Sequence, residues 1–405
     1  MTDVPVPQAP SVVARRFTGW PSVLAVVTYL VGTPIAFAVT AAYDLYPFHN
    51  RAWGLSIVTA FLGITGLLAL SWRRASETVA GLGAGLFAVW MVLTLRTAID
   101  GTPFGFGGIS DDAGRMSAAA TRYSVTMAPS DALIPGLPPE QPPLFPWLIG
   151  RVSAILDIPA WQLVGDAQIL CVSAAALVCF LLWRRLASGW VALAIAGLGV
   201  LVFGDPRKAY EVITLLAFIP WAVQALARPP SDSGSGRGRL HWLPAGIVGG
   251  LIVLTYQAWF IFGGLGLLAI IWTTWRTEPD RRGYLGHVAA VAAVAFVVDS
   301  WYLVPFLWGV LTRDSVMVSD LFSPVGIHGE MFPFLEPTPL GVVQLAGLVG
   351  LLWLRRTVWW AGPLLFLGTS AFVYRMVALV PYVPTGHTKF LQYSAHLYAA
   401  TFAAA

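Results

Sequence analysis

Two adjacent acidic residues are the clearest candidates for chemistry in this sequence. Asp111 and Asp112 lie in the polar stretch Gly-Gly-Ile-Ser-Asp-Asp-Ala-Gly-Arg, which covers residues 107–115. A positioned carboxylate can accept a proton from an attacking hydroxyl group, and adjacent residues of a helix point about 100° apart, so we expect one of the two to face a substrate. The alternative is a capping role, with Ser110 as the N-cap residue and both acids in the first helical turn.

A second charged stretch, residues 204–211, reads Gly-Asp-Pro-Arg-Lys-Ala-Tyr-Glu. Arg207 and Lys208 could bind a phosphate group, because guanidinium and ammonium groups form charge-assisted hydrogen bonds with phosphate oxygens. The alternative is a solvated turn in which Pro206 starts a helix.

Five further residues could contribute to a site. His387 and Lys389 could hold a phosphate group, or they could anchor the chain at a membrane interface. Tyr256 and Gln257 interrupt the apolar character between two hydrophobic runs and could line a cavity. Trp147 could stack on a sugar ring, although structural packing is its default interpretation.

Asp299 is unusual because it lies inside an apolar run, residues 289–307. A carboxylate inside a membrane span is unfavourable unless it faces a cavity or a partner. We expect a structural partnership with Arg96 or Arg313 in preference to a place in a ligand cavity.

The composition indicates what must position these residues. The chain has 405 residues, of which 57% are hydrophobic and 11% are charged, and its mean hydropathy is +0.72. Soluble domains carry about 25% charged residues, so a soluble globular protein is excluded. The net charge of +4 is not a nucleic-acid signal, and no nucleic-acid partner is expected, because in a membrane protein basic residues report on orientation.

The apolar residues form runs close to the length of a membrane-spanning helix. We predict eleven spans, at 23–42, 53–70, 79–95, 167–183, 190–203, 212–227, 242–256, 258–275, 287–308, 340–354 and 358–374. The runs at 190–203, 242–256 and 340–354 are short for a full crossing and could be re-entrant. The apolar stretch 397–405 could begin a twelfth span. The predicted fold is therefore an all-α polytopic membrane protein, a transmembrane domain over residues 1–405 whose extracytoplasmic loop, 97–166, carries short helices.

Orientation follows from the arginines. With a cytoplasmic N-terminus, every predicted inner connection carries two or three arginines, and most of the acidic residues fall outside. This distribution obeys the positive-inside rule. The polar residues gather in the outer connections, so we expect the active site on the extracytoplasmic face.

The stretch Ser-Asp-Asp-Ala-Gly-Arg, followed by Pro-Pro-Glu-Gln-Pro-Pro-Leu-Phe-Pro-Trp, resembles the glycosyltransferase C superfamily, and within it the mycobacterial galactan 5-O-arabinofuranosyltransferase family. Members carry an acidic pair in their first large extracytoplasmic loop and take sugars from polyprenyl-phosphate donors. The resemblance implies transfer of arabinofuranose from decaprenylphosphoryl arabinose to cell-wall galactan, at the plasma membrane and on its outer face. It also implies a C-terminal extracytoplasmic domain beyond residue 405.

The resemblance also implies roles for particular residues. Asp111, the leading aspartate, would be the general base, while Asp112 would orient it, cap the helix or bind a cation. An acidic residue in the second loop, such as Asp205, would help to build the site. Direct attack on a β-linked donor would invert the anomeric carbon. The sequence leaves open whether a divalent cation is a cofactor.

Other functions remain open. Nothing in the residue spacing separates pentofuranose from hexopyranose donors, so a mannosyl or aminoarabinose transferase is the first alternative. A lipid or sugar transporter, such as a flippase, is disfavoured because we see no clear internal repeat and few charges at the predicted membrane midplane. A non-catalytic membrane subunit would not explain why an acidic pair and outer basic residues occur together.

Overall fold

The computed structural model describes residues 19–43, 45, 50–73, 76–134, 136–139, 141–229, 239–312, 332–385 and 394–404. Over these residues the chain forms helices and no strand. The α-helices are α1 (Trp20–Tyr43), α2 (Asn50–Arg73), α3 (Glu77–Ala98), α4 (Asp111–Val125), α5 (Leu144–Leu156), α6 (Ala160–Trp183), α7 (Gly189–Phe203), α8 (Ala209–Leu226), α9 (Trp242–Thr255), α10 (Ala258–Thr277), α11 (Arg281–Thr312), α12 (Pro339–Leu354), α13 (Ala361–Thr385) and α14 (Ser394–Ala403).

Membrane-spanning character is widespread among these helices. Within the described part of the chain, eight of them are long and apolar enough to cross a membrane, namely α1, α2, α3, α6, α8, α10, α11 and α13. Each of the eleven predicted spans corresponds to a helix. The predicted all-α polytopic membrane protein is therefore confirmed.

The three runs predicted to be short form short helices. α7, α9 and α12 have 15, 14 and 16 residues, so each is about 21–24 Å long, less than the roughly 30 Å of a bilayer core. Two boundaries differ most from prediction. α6 begins at Ala160 rather than at 167, so the charged residue just before the predicted span, Asp166, lies within the helix, where it pairs with Arg96. α13 continues to Thr385 and contains Pro381 and Pro384.

Side-chain contacts identify two ends of the bundle. At one end Arg184, just after α6, donates to Ser22 of α1 (2.7 Å) and approaches Glu77 of α3 (3.7 Å). We call this the arginine end, because Arg228 also lies there and donates to the carbonyl of Thr277.

The opposite end contains the connections that were predicted to be extracytoplasmic. Arg96 at the end of α3 is 3.3 Å from Asp166 near the start of α6, and the connection from α3 to α6 carries α4 and α5. The α7–α8 connection and the α9–α10 connection meet at this same end, where the rings of Tyr210 and Tyr256 are 6.0 Å apart. We call it the loop end.

α8 lies at the centre of the helix packing. It is apolar nearly all round and buried along almost its whole length, as expected for a helix enclosed by others. Two tryptophan side chains fix it through hydrogen bonds, from Trp221 to the carbonyl of Ala245 (2.8 Å) and from Trp259 to the hydroxyl of Thr214 (2.9 Å). The residues at its N-terminal end are therefore held by a rigid element.

Candidate active site

The loop that leads to the acidic pair is anchored on α6. Gln168, which is buried, accepts a hydrogen bond from the backbone N–H of Phe106 (2.7 Å) and donates one to the carbonyl of the same residue (3.3 Å). Gly105 fits against this amide, since a Cβ atom there would lie 2.5 Å from its oxygen. The backbone at Phe106 is therefore fixed to a membrane helix only a few residues before α4.

Two glycines then turn the chain into α4. Gly107 and Gly108 have φ angles of +87° and +62°, which L side chains rarely adopt. The turn closes with hydrogen bonds from the N–H of Gly108 to the carbonyl of Gly105 (3.0 Å) and from the N–H of Ser110 to the carbonyl of Gly107 (3.2 Å). Ser110 occupies the predicted N-cap position, but its side chain makes no capping hydrogen bond.

α4 lies on the bundle through one face. Ala113, Met116, Ala120 and Tyr123 are buried, and their spacing is that of a helix packed on one side. α5 crosses close to them, because a Cβ atom at Gly150 would lie 2.6 Å from the carbonyl oxygen of Ala120. This packing holds the first turn of α4, and with it Asp112, at the loop end.

Lys208 joins the first predicted site segment to the second. Its ammonium group contacts the carboxylate of Asp112 and lies 3.3 Å from the carboxylate of Glu211. The side chain of Asp112 is 31% exposed and that of Lys208 21%, whereas that of Glu211 is 7% exposed. The three residues form a charged cluster, open on the Asp112 side and closed on the Glu211 side.

Glu211 was missing from the predicted site residues. The sequence carried two signals for it, the first being that Lys208 and Glu211 are three positions apart at the start of a helix and can therefore pair. An acid in the first turn is also favoured by the helix dipole. Neither signal indicates that the carboxylate is buried beside an acidic pair about a hundred residues earlier.

Arg207 has a different environment from Lys208. Its guanidinium binds the carboxylate of Asp205 at 2.8 and 3.1 Å, and Asp205 also accepts from the backbone N–H of Arg207 (2.9 Å). Although partial burial would raise the pKa of Asp205, these hydrogen bonds outweigh it and hold the pKa below its ordinary value. The Arg207 side chain is 65% exposed. The two predicted phosphate ligands thus lie in separate ion pairs.

Aromatic rings pack behind the charged cluster. The ring of Tyr210 lies 5.9 Å from Phe145 of α5 and 6.0 Å from Tyr256, which in turn is 5.1 Å from Trp259. Tyr256 is therefore brought next to the segment that carries Lys208. The neighbouring Gln257 has a buried side-chain oxygen with no hydrogen-bond partner among the described residues.

Trp147 lies away from these contacts. Its ring packs edge-on against Trp301 of α11 at 5.9 Å, and Trp301 also approaches Tyr123 at 6.5 Å. Its indole N–H is buried and has no hydrogen-bond partner in the described part of the chain. Trp147 thus joins α5 to α11.

Several predicted residues fall outside the described part of the chain. They are His387, Lys389, Arg313 and the side chain of Asp111, whose backbone begins α4.

Asp299 is buried, and both of its carboxylate oxygens lack a hydrogen-bond partner among the described residues. The expected pairing with Arg96 is wrong, because Arg96 instead pairs with Asp166 (3.3 Å) and Asp100 (3.8 Å).

These observations define a polytopic helical membrane protein with a charged cluster at one end of its bundle. Residues 22–380 match the model of the family described as "Arabinofuranosyltransferase N terminal", and the chain belongs to this family.

Three relatives carry the name galactan 5-O-arabinofuranosyltransferase. The protein of Mycolicibacterium smegmatis is 26% identical over 365 residues, which cover 87% of this chain and 57% of the relative. That of Mycobacterium tuberculosis is 26% identical over 384 residues, covering 88% and 58%. That of Mycobacterium leprae is 26% identical over 334 residues, covering 77% and 52%. The predicted resemblance is confirmed, and the chain spans just over half the length of these relatives.

Proposed function

We propose that this chain transfers arabinofuranose from decaprenylphosphoryl arabinose to cell-wall galactan, at the extracytoplasmic face of the plasma membrane. Family membership and the names of the relatives support the sugar and the acceptor. The observation that carries the proposal is the contact between Lys208 and Asp112, since it joins a phosphate-binding cation to the segment of the acidic pair. The loop end is then the extracytoplasmic end, and the N-terminus is cytoplasmic.

Lys208 is the residue that binds the donor phosphate. Negative charge grows on the phosphate as the sugar departs, and a cation aimed at that charge lowers the barrier. The ammonium group has three donors, and Asp112 and Glu211 hold it in the absence of donor. Asp112 is the more exposed of the two acids, so the phosphate replaces it as a partner while Glu211 keeps its contact.

Asp111 is the general base. A general base must have an oxygen that can reach the acceptor hydroxyl, and the resemblance to the family assigns this role to the leading aspartate of the acidic pair. The hydroxyl of galactan gives its proton to Asp111, and its oxygen forms a bond to the anomeric carbon. The bond from that carbon to the phosphate oxygen breaks with its electron pair going to the polyprenyl phosphate. Attack from the opposite face inverts the anomeric configuration.

The remaining residues contact the substrates. Gln257 offers a buried side-chain oxygen that a sugar hydroxyl can satisfy, and Tyr256 supplies the ring surface beside it. Asp205 orders the second loop through its pair with Arg207. His387 and Lys389 remain a predicted second contact to the phosphate, and Trp147 remains a predicted contact to the acceptor sugar.

The direct test is an assay with purified full-length protein, a synthetic galactan and radiolabelled decaprenylphosphoryl arabinose. We expect α-linked arabinofuranose on galactan, identified by NMR of the product. A matched reaction with decaprenylphosphoryl mannose separates donor classes. Product from the mannosyl donor alone would overturn the arabinose assignment, and a β-linked product would overturn direct inversion. Parallel reactions with a chelator and with added Mg²⁺ or Mn²⁺ determine whether a divalent cation is required.

A further inference from the structure

The arginine end carries a stack of two indole rings flanked by two guanidinium groups at the turn between α10 and α11. The guanidinium of Arg276 lies 4.4 Å from the ring centre of Trp272, and that of Arg281 lies 5.4 Å from the ring centre of Trp275. The two indole rings are 5.2 Å apart. The order in space is therefore Arg276, Trp272, Trp275, Arg281. The proposed transferase chemistry does not involve this stack.

The stack lies at the depth in the membrane where lipid headgroups are expected. α10 has 20 residues and is therefore about 30 Å long, the thickness of a bilayer core. Trp272 and Trp275 lie in its last two turns, where amphipathic indole rings favour the membrane–water boundary. The Trp272 ring is 49% exposed. A lipid phosphate at this boundary therefore lies at the same depth in the membrane as the stack.

The two arginines have no acidic partner among the described residues. Of the nearby acids, Glu278 is held by Arg239 at 3.0 Å and by Arg228 at 3.8 Å. Asp280 accepts a hydrogen bond from the backbone N–H of Gly283 (2.9 Å). Neither Arg276 nor Arg281 is thus in an ion pair within the described part of the chain.

Stacking leaves the hydrogen-bonding edges of both guanidinium groups available. A guanidinium that lies over an aromatic face keeps its N–H groups in its own plane, pointing outward, and that fork matches phosphate oxygens. One N–H of Arg281 is used on the carbonyl of Arg276 (3.3 Å). The other N–H groups of the two side chains have no hydrogen-bond partner among the residues that the structure describes, and they can bind an anion.

An apolar stripe continues from the stack along α10. Ile261, Leu265 and Leu268 are exposed, and they precede Trp272 at helical spacing on one face of the helix. A ligand that binds the arginines through phosphate can lay an acyl chain along these side chains. This combination of anionic headgroup and apolar tail is that of a phospholipid.

We propose that the Arg276–Trp272–Trp275–Arg281 stack is a binding site for the phosphate of an anionic phospholipid, at the end of the bundle opposite the candidate active site. Arg276 and Arg281 attract the anionic headgroup from the two ends of the indole pair, and the exposed apolar side chains of α10 contact the acyl chain.

Native mass spectrometry of the purified full-length chain tests this site with phosphatidylglycerol and phosphatidylcholine of identical acyl chains. We expect wild type to retain phosphatidylglycerol about tenfold more strongly than phosphatidylcholine. The double variant Arg276→Gln/Arg281→Gln should lose this preference. Arg276→Lys/Arg281→Lys should lose most of it, because lysine keeps the charge but not the planar fork. Thermal unfolding in detergent verifies that each variant is folded.

The matched control is Arg355→Gln/Arg356→Gln, which removes two exposed charges just after α12. This connection also lies at the arginine end, because the ring of Trp360 packs against that of Trp183 at 6.1 Å. Its lipid preference should stay within about twofold of wild type. An equal loss in this control would show diffuse attraction and overturn the site. Full preference in the Arg276/Arg281 glutamine variant would overturn it as well. Displacement of the lipid by millimolar inorganic phosphate would show a free-phosphate site instead.

Discussion

The ammonium group of Lys208 contacts the carboxylate of Asp112, although 96 positions separate the two residues in the sequence. Each partner is placed by a different membrane-anchored element. Asp112 depends on α4, whose preceding loop is fixed to Gln168 of α6, and Lys208 directly precedes the buried helix α8. The contact therefore reports the relative position of the two loops, and changes on either side should be detectable in donor binding and turnover.

Asp111→Asn should remove turnover with little change in donor affinity. If Asp111 is the general base, the amide cannot accept the acceptor's proton, and kcat should fall by about 10²–10⁴-fold. Binding of decaprenylphosphoryl arabinose, measured separately by fluorescence quenching or filtration, should stay within about threefold of wild type, because the donor needs no base to bind.

Asp112→Asn is the matched comparison. It removes one of the two carboxylates that hold Lys208 and leaves Asp111 in place, so the change should fall mainly on the KM for the donor. If Asp112→Asn instead removes turnover while Asp111→Asn transfers normally, the two roles are exchanged. Normal transfer by both variants would exclude the acidic pair from the chemistry.

Lys208→Met should weaken donor binding more than Arg207→Met does. A charge-assisted hydrogen bond to the phosphate, lost from a partly buried lysine, corresponds to about 10- to 100-fold in Kd. The side chain of Arg207 is 65% exposed and paired with Asp205. Because interactions of exposed charges are weak, the loss of the Arg207 side chain should change the Kd for the donor by less than about threefold. The readout is a titration with the donor lipid. Similar losses in both variants would place Arg207 on the phosphate too.

The helices could be predicted from the sequence because each depends on local hydropathy. All eleven predicted apolar runs correspond to helices in the structure, and the three short runs correspond to the short helices α7, α9 and α12. Boundaries were less accurate where a charge is neutralised by a partner, as for Asp166 in α6, which pairs with Arg96. Hydropathy alone treats such a residue as the end of a span.

The candidate site could be predicted only in part. Asp112 and Lys208 were both named from residue type and loop position, but their contact depends on how two distant loops approach each other. Glu211 was overlooked because burial at the start of α8 is a property of the surrounding helices. Arg207 was grouped with Lys208 because they are adjacent, although its side chain binds Asp205 instead. The contact of Lys208 with Asp112 and the burial of Glu211 follow from tertiary packing, which residue type and spacing alone do not encode.

Gln168→Leu should loosen the loop before α4. The substitution removes both hydrogen bonds to Phe106 and leaves two backbone groups without their partner, which costs about 2–4 kcal/mol locally. Hydrogen exchange measured by mass spectrometry should become faster across residues 100–115, and transferase activity should fall with it.

Gln224→Leu is the control for this effect. Gln224 is also a buried glutamine that donates to a backbone carbonyl, that of Leu182 (2.8 Å), but it lies at the arginine end. It should lower thermal stability without changing exchange in residues 100–115. Unchanged exchange in the Gln168 variant would mean that other contacts hold the loop.

Gly107→Ala should lower the proposed transferase activity more than Gly108→Ala. Both positions have positive φ, so either alanine costs about 1 kcal/mol of backbone strain. At Gly107 the new Cβ would also lie 2.9 Å from the Cβ of Ala113, whereas at Gly108 nothing lies within 4 Å. The turn must then shift the first turn of α4 only in the Gly107 variant. We expect turnover to fall about tenfold or more there, and equal effects in both variants would contradict this steric account.

The Tyr123→Phe variant should lose less stability than wild type when the pH is raised into the alkaline range. Burial raises the pKa of Tyr123 from 10.0 to about 12, so the folded state holds the phenolic proton more tightly than the unfolded state does. The stabilisation is fully present below pH 10 and is lost as the pH rises toward 12, amounting to about 1 kcal/mol by pH 11. At pH 8 the variant should be nearly as stable as wild type, because the buried hydroxyl has no hydrogen-bond partner in the described part of the chain. The measurement is thermal unfolding of both proteins in detergent between pH 8 and 11. The unfolding midpoint of wild type should fall further than that of Tyr123→Phe. Parallel decline would mean that the phenol ionises equally easily in both states and that α4 does not bury it against Trp301.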